Sequence, residues 1–126
     1  PEMYLGRDDV ELEIQCVCVG DFCFVGVPGE LCCELGQEIK WHSPFRRTCI
    51  AYNSTAYFSY MGHANMLAAG GYEAFSQRFS ARGGLTLLQT ASDAMFDLRE
   101  TVFPSDGEEK YPDALETPLV CLPPNR

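Results

Sequence analysis

No run of apolar residues in this chain approaches the roughly 20 that a membrane-spanning helix needs, so no helical span is expected. Cationic side chains are scarce. Nine Lys and Arg stand against eighteen Asp and Glu, and the resulting net charge of -9 repels phosphate backbones and anionic lipid surfaces. Unspecific nucleic-acid or membrane binding is thereby excluded as a function class. Histidine is rarer still, limited to His42 and His63. There is no internal repeat, and no signal peptide is visible. Cysteine, in contrast, is plentiful, but the seven residues lack the spacing of a structural zinc site: one residue separates Cys16 from Cys18 and none separates Cys32 from Cys33. An odd count would leave one cysteine outside any complete set of disulfides. Cys16, Cys18, Cys23 and Cys49 lie within apolar segments and read as small buried hydrophobes, which points to a reducing, cytoplasmic compartment.

With 126 residues the chain can bury one core. From Val10 to Val19 apolar and polar residues alternate, with Val10, Leu12, Ile14, Cys16 and Cys18 on one side, which predicts a half-buried strand. Gly20-Asp21 supplies a two-residue turn. Phe22 to Val27 is apolar on both faces and predicts a more central strand, antiparallel to the first. Pro28-Gly29 stops it. Leu31, Leu35 and Ile39 recur at helical spacing and predict a helix from Leu31 to Trp41, with Glu30 at its mouth. Ser43-Pro44 breaks that helix, and Thr48 to Tyr52 reads as a third strand, returning parallel to the second by the handedness of such crossovers. The stretch from Asn53 to Gly71 predicts a packed aromatic loop with short helical turns. Leu88, Ala91, Met95, Leu98 and Val102 then form the stripe of a long helix running from Leu85 to about Phe103. The expected fold is α/β: a mixed sheet with a β-hairpin, a helix, a parallel strand, an aromatic loop and a long C-terminal helix. Residues 1–103 form this segment and 104–126 an acidic, proline-rich tail.

A carboxylate at the mouth of a helix is held on a rigid element and faces the positive end of the helix dipole, so Glu30 is a candidate functional group. The alternative is that Glu30 caps the helix through backbone N–H groups. Tyr57 and Tyr60 follow the third strand, on the side of the parallel pair where open sheets commonly build their sites; packing is their alternative role. Asn53 and His63 flank them.

The stretches "VELEIQCVCVGDFCFVGVPGELCCELGQEIK" and "SPFRRTCIAYNSTAYFSYMGHANMLAAGGYEAF" carry a set of spacings together: Pro28-Gly29-Glu30 with Gly36 six residues after the glutamate, then Asn53, Tyr57, Tyr60 three residues on, and Tyr72-Glu73 twelve beyond. In this the chain resembles, over about residues 10–102, the C-terminal part of the catalytic region of neutral, non-lysosomal ceramidases. The segments "SPFRRT" and "AAGGYEAF" are closer to the bacterial relatives of that family. Two features differ: Cys32-Cys33 stands where ceramidases have two threonines, and two extra residues separate Asn53 from the first tyrosine.

The resemblance implies a zinc-dependent hydrolase acting on an amide bond, ceramide-like N-acyl in type, with Glu30 and Tyr60 as metal ligands. It implies catalytic roles for Tyr57 and Tyr60, and substrate contacts by Asn53 and His63. The zinc would need two further histidine ligands from outside these residues, supplied by an upstream part of the same protein or by a second chain. The competing expectation is a non-catalytic association domain that keeps the fold. Either way, an isolated sheet of this kind exposes edges and one apolar face, which predicts a larger layered domain around it.

Overall fold

The computed structural model describes residues 10–104, and the acidic tail expected from the sequence lies outside them but for Pro104. Strand β1 (Gln15–Val19) turns through Gly20-Asp21 into β2 (Phe22–Gly26), with Cys18 opposite Cys23 and Val19 opposite Phe22. Gly20 adopts a φ of 58°, the left-handed region that a tight hairpin asks for and that glycine enters without steric cost. A two-residue strand β3 (Glu30–Leu31) precedes helix α1 (Cys33–Trp41). Next comes β4 (Arg47–Ala51), parallel to β2 with Val25 beside Ile50 and Gly26 beside Ala51. The mixed sheet therefore has the order β1-β2-β4, with β2 central as its two-sided apolar character requires. A second short strand, β5 (Tyr60–Met61), pairs parallel with β3 in a separate two-stranded sheet. The chain continues through α2 (Ala64–Ala69) and α3 (Tyr72–Ser76) into the 22-residue α4 (Ala81–Val102).

The α/β class, the hairpin, the parallel crossover and the long final helix match the expectation from sequence. Boundaries differ for physical reasons. The first strand is shorter than Val10 to Val19, because its pairing partner β2 spans only Phe22–Gly26; Leu12 and Ile14 still pack inward against the core. The helix begins at Cys33 rather than Leu31, because the backbone of Glu30 and Leu31 is engaged by β5. Helix α4 begins at Ala81, a full turn before Leu85. Its buried line is Gly84, Leu87, Ala91 and Met95, while Val102 is exposed.

One core joins the pieces. Cys23, Val25 and Val27 of β2 and its extension meet Leu35 and Ile39 of α1 and Leu87, Ala91 and Met95 of α4, with Leu31, Phe45 and Met61 closing the rim. Gly84 lets α4 approach closely: an added Cβ would lie 2.9 Å from the Gly62 carbonyl oxygen and 3.1 Å from Leu35. Among the cysteines, Cys23 is buried, Cys16 and Cys18 are half-buried, and Cys49 is exposed, correcting the expectation that it sits inside. Strand alternation turns Thr48 and Ile50 inward and leaves Cys49 on the outer face beside Phe24. All six cysteines among the described residues are free thiols.

Candidate functional site

The site lies where the parallel strands end. Beyond Gly26 the chain keeps its pairing for one more step, the Val27 N–H donating to the Ala51 carbonyl at 3.0 Å, before Pro28-Gly29 turns it away. Two neighbours then hold the turn. The Asn53 N–H donates to the Gly29 carbonyl at 3.2 Å, and the Glu30 N–H donates to the Ser59 carbonyl at 3.1 Å. Gly29 is required by this crowding, since a Cβ there would lie 2.5 Å from the Ser59 carbonyl oxygen. From that point Glu30 and Leu31 run parallel to Tyr60 and Met61, and the Cys32 N–H donates to the Met61 carbonyl at 2.9 Å.

Parallel register makes Glu30 and Tyr60 direct partners, on adjacent strands that lie about 4.8 Å apart. Their side chains interact. The Glu30 carboxylate pushes the Tyr60 phenol above its ordinary pKa, chiefly through its negative charge, with desolvation, the hydrogen bond to Glu30 and the neighbouring Tyr72 and Glu73 adding to the effect. Tyr60 is therefore an O–H donor at neutral pH, and only a nearby positive charge would favour its phenolate. Its ring meets the edge of Tyr72 with centroids 5.9 Å apart and planes at 77°. On the other side of Glu30, the Asn53 side-chain amide donates to Oε1 at 3.4 Å.

These groups open into a cleft of about 370 Å³, walled by Glu30 and Tyr60 together with Tyr52, Cys32, Cys33 and Glu73. The Tyr52 phenol is pushed upward too, first by burial and then by the neighbouring thiols of Cys33 and Cys32. Its hydroxyl lies over Gly36, where a Cβ would stand 3.5 Å away. Glu30 is not a helix cap. The N-cap of α1 is Cys32, which makes no side-chain capping bond, and Glu30 lies two residues earlier in β3.

The remaining expected residues fall elsewhere. Tyr57 is 78% exposed and is not part of the cleft wall. Between it and Tyr60 lies Ser59, whose φ is 71° and whose hydroxyl donates to the Ser76 carbonyl. His63 is the N-cap residue of α2, and its Nε2 lies 3.0 Å from Oε1 of Glu38 on α1. It lines a separate small hollow with Leu35, Ala64, Ala81 and Leu85. His42 closes α1, its Nδ1 donating to the Glu38 carbonyl at 2.7 Å. The structure thus brings Glu30, Tyr60 and Asn53 together and leaves Tyr57 and His63 apart from them.

No family model, no curated protein and no solved structure matches this chain. The geometry therefore has to carry the functional reading. Among the described residues, no three or more His, Cys, Asp or Glu side chains converge to hold a metal ion. The Glu30 carboxylate and the Tyr60 phenol form a pair of oxygen donors at an open cleft, compatible with half of a tetrahedral zinc site but not with a complete one. Sequence reasoning missed Tyr52, Cys32, Cys33 and Glu73 as cleft residues. The available signals were weak: Tyr52 closes a strand, the cysteine pair directly follows Glu30, and Glu73 stood out only through its spacing from Tyr60.

Proposed function

We propose that this chain is part of a zinc-dependent hydrolase that cleaves an amide bond, ceramide-like N-acyl in type, with Glu30 and Tyr60 as two of the metal ligands. The observation that carries the reading is the register of β3 and β5, which sets a carboxylate and a phenol side by side at the wall of the cleft. The other two ligands would be histidines from an upstream part of the same protein or from a second chain. Bound there, zinc would polarise the scissile carbonyl and supply a nucleophilic water at neutral pH.

This chain's own contribution is placement. Pairing of β3 with β5 fixes the separation of the two oxygen donors, and Tyr72 packs against the ring of Tyr60 and limits its swing. Without a cation Tyr60 keeps its proton beside Glu30; a cation held between the two would offset the Glu30 charge and favour the phenol oxygen as a ligand. The cleft wall mixes carboxylate, phenol and thiol groups with the apolar Leu31 and Met66, which suits an amide flanked by hydrocarbon.

The test is zinc stoichiometry and N-acyl amide hydrolysis in protein that includes the upstream region. One bound zinc is expected, with Glu30→Gln and Tyr60→Phe each losing metal and activity. Absence of zinc from that protein, or unchanged turnover in Glu30→Gln, would overturn the reading.

A further inference from the structure

We infer that Asn53 is a positioning residue for Glu30, delivering its side-chain amide to Oε1 and so orienting the carboxylate at the cleft wall, where a cation would be held. This inference rests on the proposed role of Glu30 as a metal ligand, and it assigns Asn53 to the ligand rather than to the substrate.

Two main-chain bonds and one side-chain contact support it. Asn53 lies two residues past the end of β4, where its N–H donates to the carbonyl of Gly29, the residue before Glu30. The next N–H, of Ser54, donates to the Val27 carbonyl at 3.1 Å. The turn carrying Asn53 is thus tied to the turn carrying Glu30 by two main-chain bonds. The side chain then adds the Nδ2 to Oε1 contact at 3.4 Å, long for an amide donor but aimed at the carboxylate.

Residue type sharpens the point. Asn53 has a φ of 50°, in the left-handed region, one of two such non-glycine residues among those described. Glycine would satisfy that backbone at no steric cost, so the conformation alone does not call for asparagine. What asparagine adds is the amide. A donor fixed on one oxygen orients a ligating carboxylate, the kind of outer-shell contact whose loss typically weakens metal binding about 10- to 100-fold.

Asn53→Gly isolates the side chain, because it preserves the left-handed turn. Asn53→Asp provides a second variant that keeps the size but replaces the donor with an acceptor. Two readouts are taken on protein containing the upstream region: carbodiimide labelling of Glu30, with Glu73 across the cleft as internal standard, and zinc affinity by chelator competition. A several-fold rise in the Glu30 to Glu73 labelling ratio is expected in both variants, with zinc affinity falling about 10- to 100-fold. A purely structural role would lower the unfolding midpoint and leave the labelling ratio unchanged. An unchanged ratio overturns the inference whether or not zinc binds. A raised ratio with unchanged zinc affinity overturns the link to the metal. A raised ratio in protein that binds no zinc upholds the positioning and overturns the zinc reading instead.

Discussion

Gly29 and Cys23 show how single residues hold the site and the core. A Cβ at Gly29 would collide with the Ser59 carbonyl that receives the Glu30 N–H, so glycine at this position is a steric requirement of the β3–β5 pairing. Cys23 sits in the centre of the core, where burial, then the charges that Cys16 and Cys18 would carry, push its thiol up to about 12 from 9.0. Folding therefore favours the neutral thiol. Its contribution to stability is complete below pH 9 and is lost as the pH rises from about 9 to about 12, since the unfolded chain ionises first. Denaturation midpoints measured across that window should fall more steeply for the wild type than for Cys23→Ala. The difference between the two slopes isolates Cys23 from Tyr52 and Tyr60, which are also shifted upward.

Among the elements, α4 tests the difference between a stripe read from sequence and a stripe that is buried. The periodicity through Leu88, Ala91, Met95, Leu98 and Val102 has the correct helical phase. Contact with α1, β1 and β2 selects its middle, however, so that Ala91 and Met95 are fully buried and Val102 is 45% exposed. Met95→Ala should cost about 2–5 kcal/mol by opening a cavity. Val102→Ala should stay within about 0.5 kcal/mol, with urea denaturation of the two variants giving the comparison. The first strand was legible because alternation over five or more residues carries a period, and β2 and β4 because short apolar stretches bounded by turn or breaker residues mark strands. The two-residue strands β3 and β5 were not. Neither has a period of its own, and their pairing joins residues thirty positions apart, Glu30 to Tyr60 and Leu31 to Met61. Tyr57 lies three residues from Tyr60 yet is exposed and outside the cleft wall, a separation that spacing along the chain does not reveal.

The whole molecule is two-layered, with α1 and α4 on one face of the three-stranded sheet and no element packed on the other among the described residues. That open face presents Val17, Phe24 and Cys49 in one row across the strands, with Val19 beside them. A parallel strand pair is ordinarily covered on both faces, and β1 is also an edge able to template pairing with another chain. Replacing Val17 and Val19 with Lys should leave the unfolding free energy of this chain within about 0.5 kcal/mol per site, because both are exposed, and should reduce aggregation measured by light scattering. The expectation of one bare apolar face accords with the two-sided apolar character of Phe22 to Val27, since helices on one side of the sheet leave its second face uncovered. Alternation, the turn residues and the helical stripe determined the class of fold, the order of its main elements and which side of the first strand and of the long helix turns inward, because these are local properties repeated along the chain. The meeting of Glu30 with Tyr60, the support from Asn53 and the removal of His63 to Glu38 were decided only by tertiary structure. Those contacts depend on main-chain bonds between short segments distant in sequence, formed once the core has brought the strand ends together.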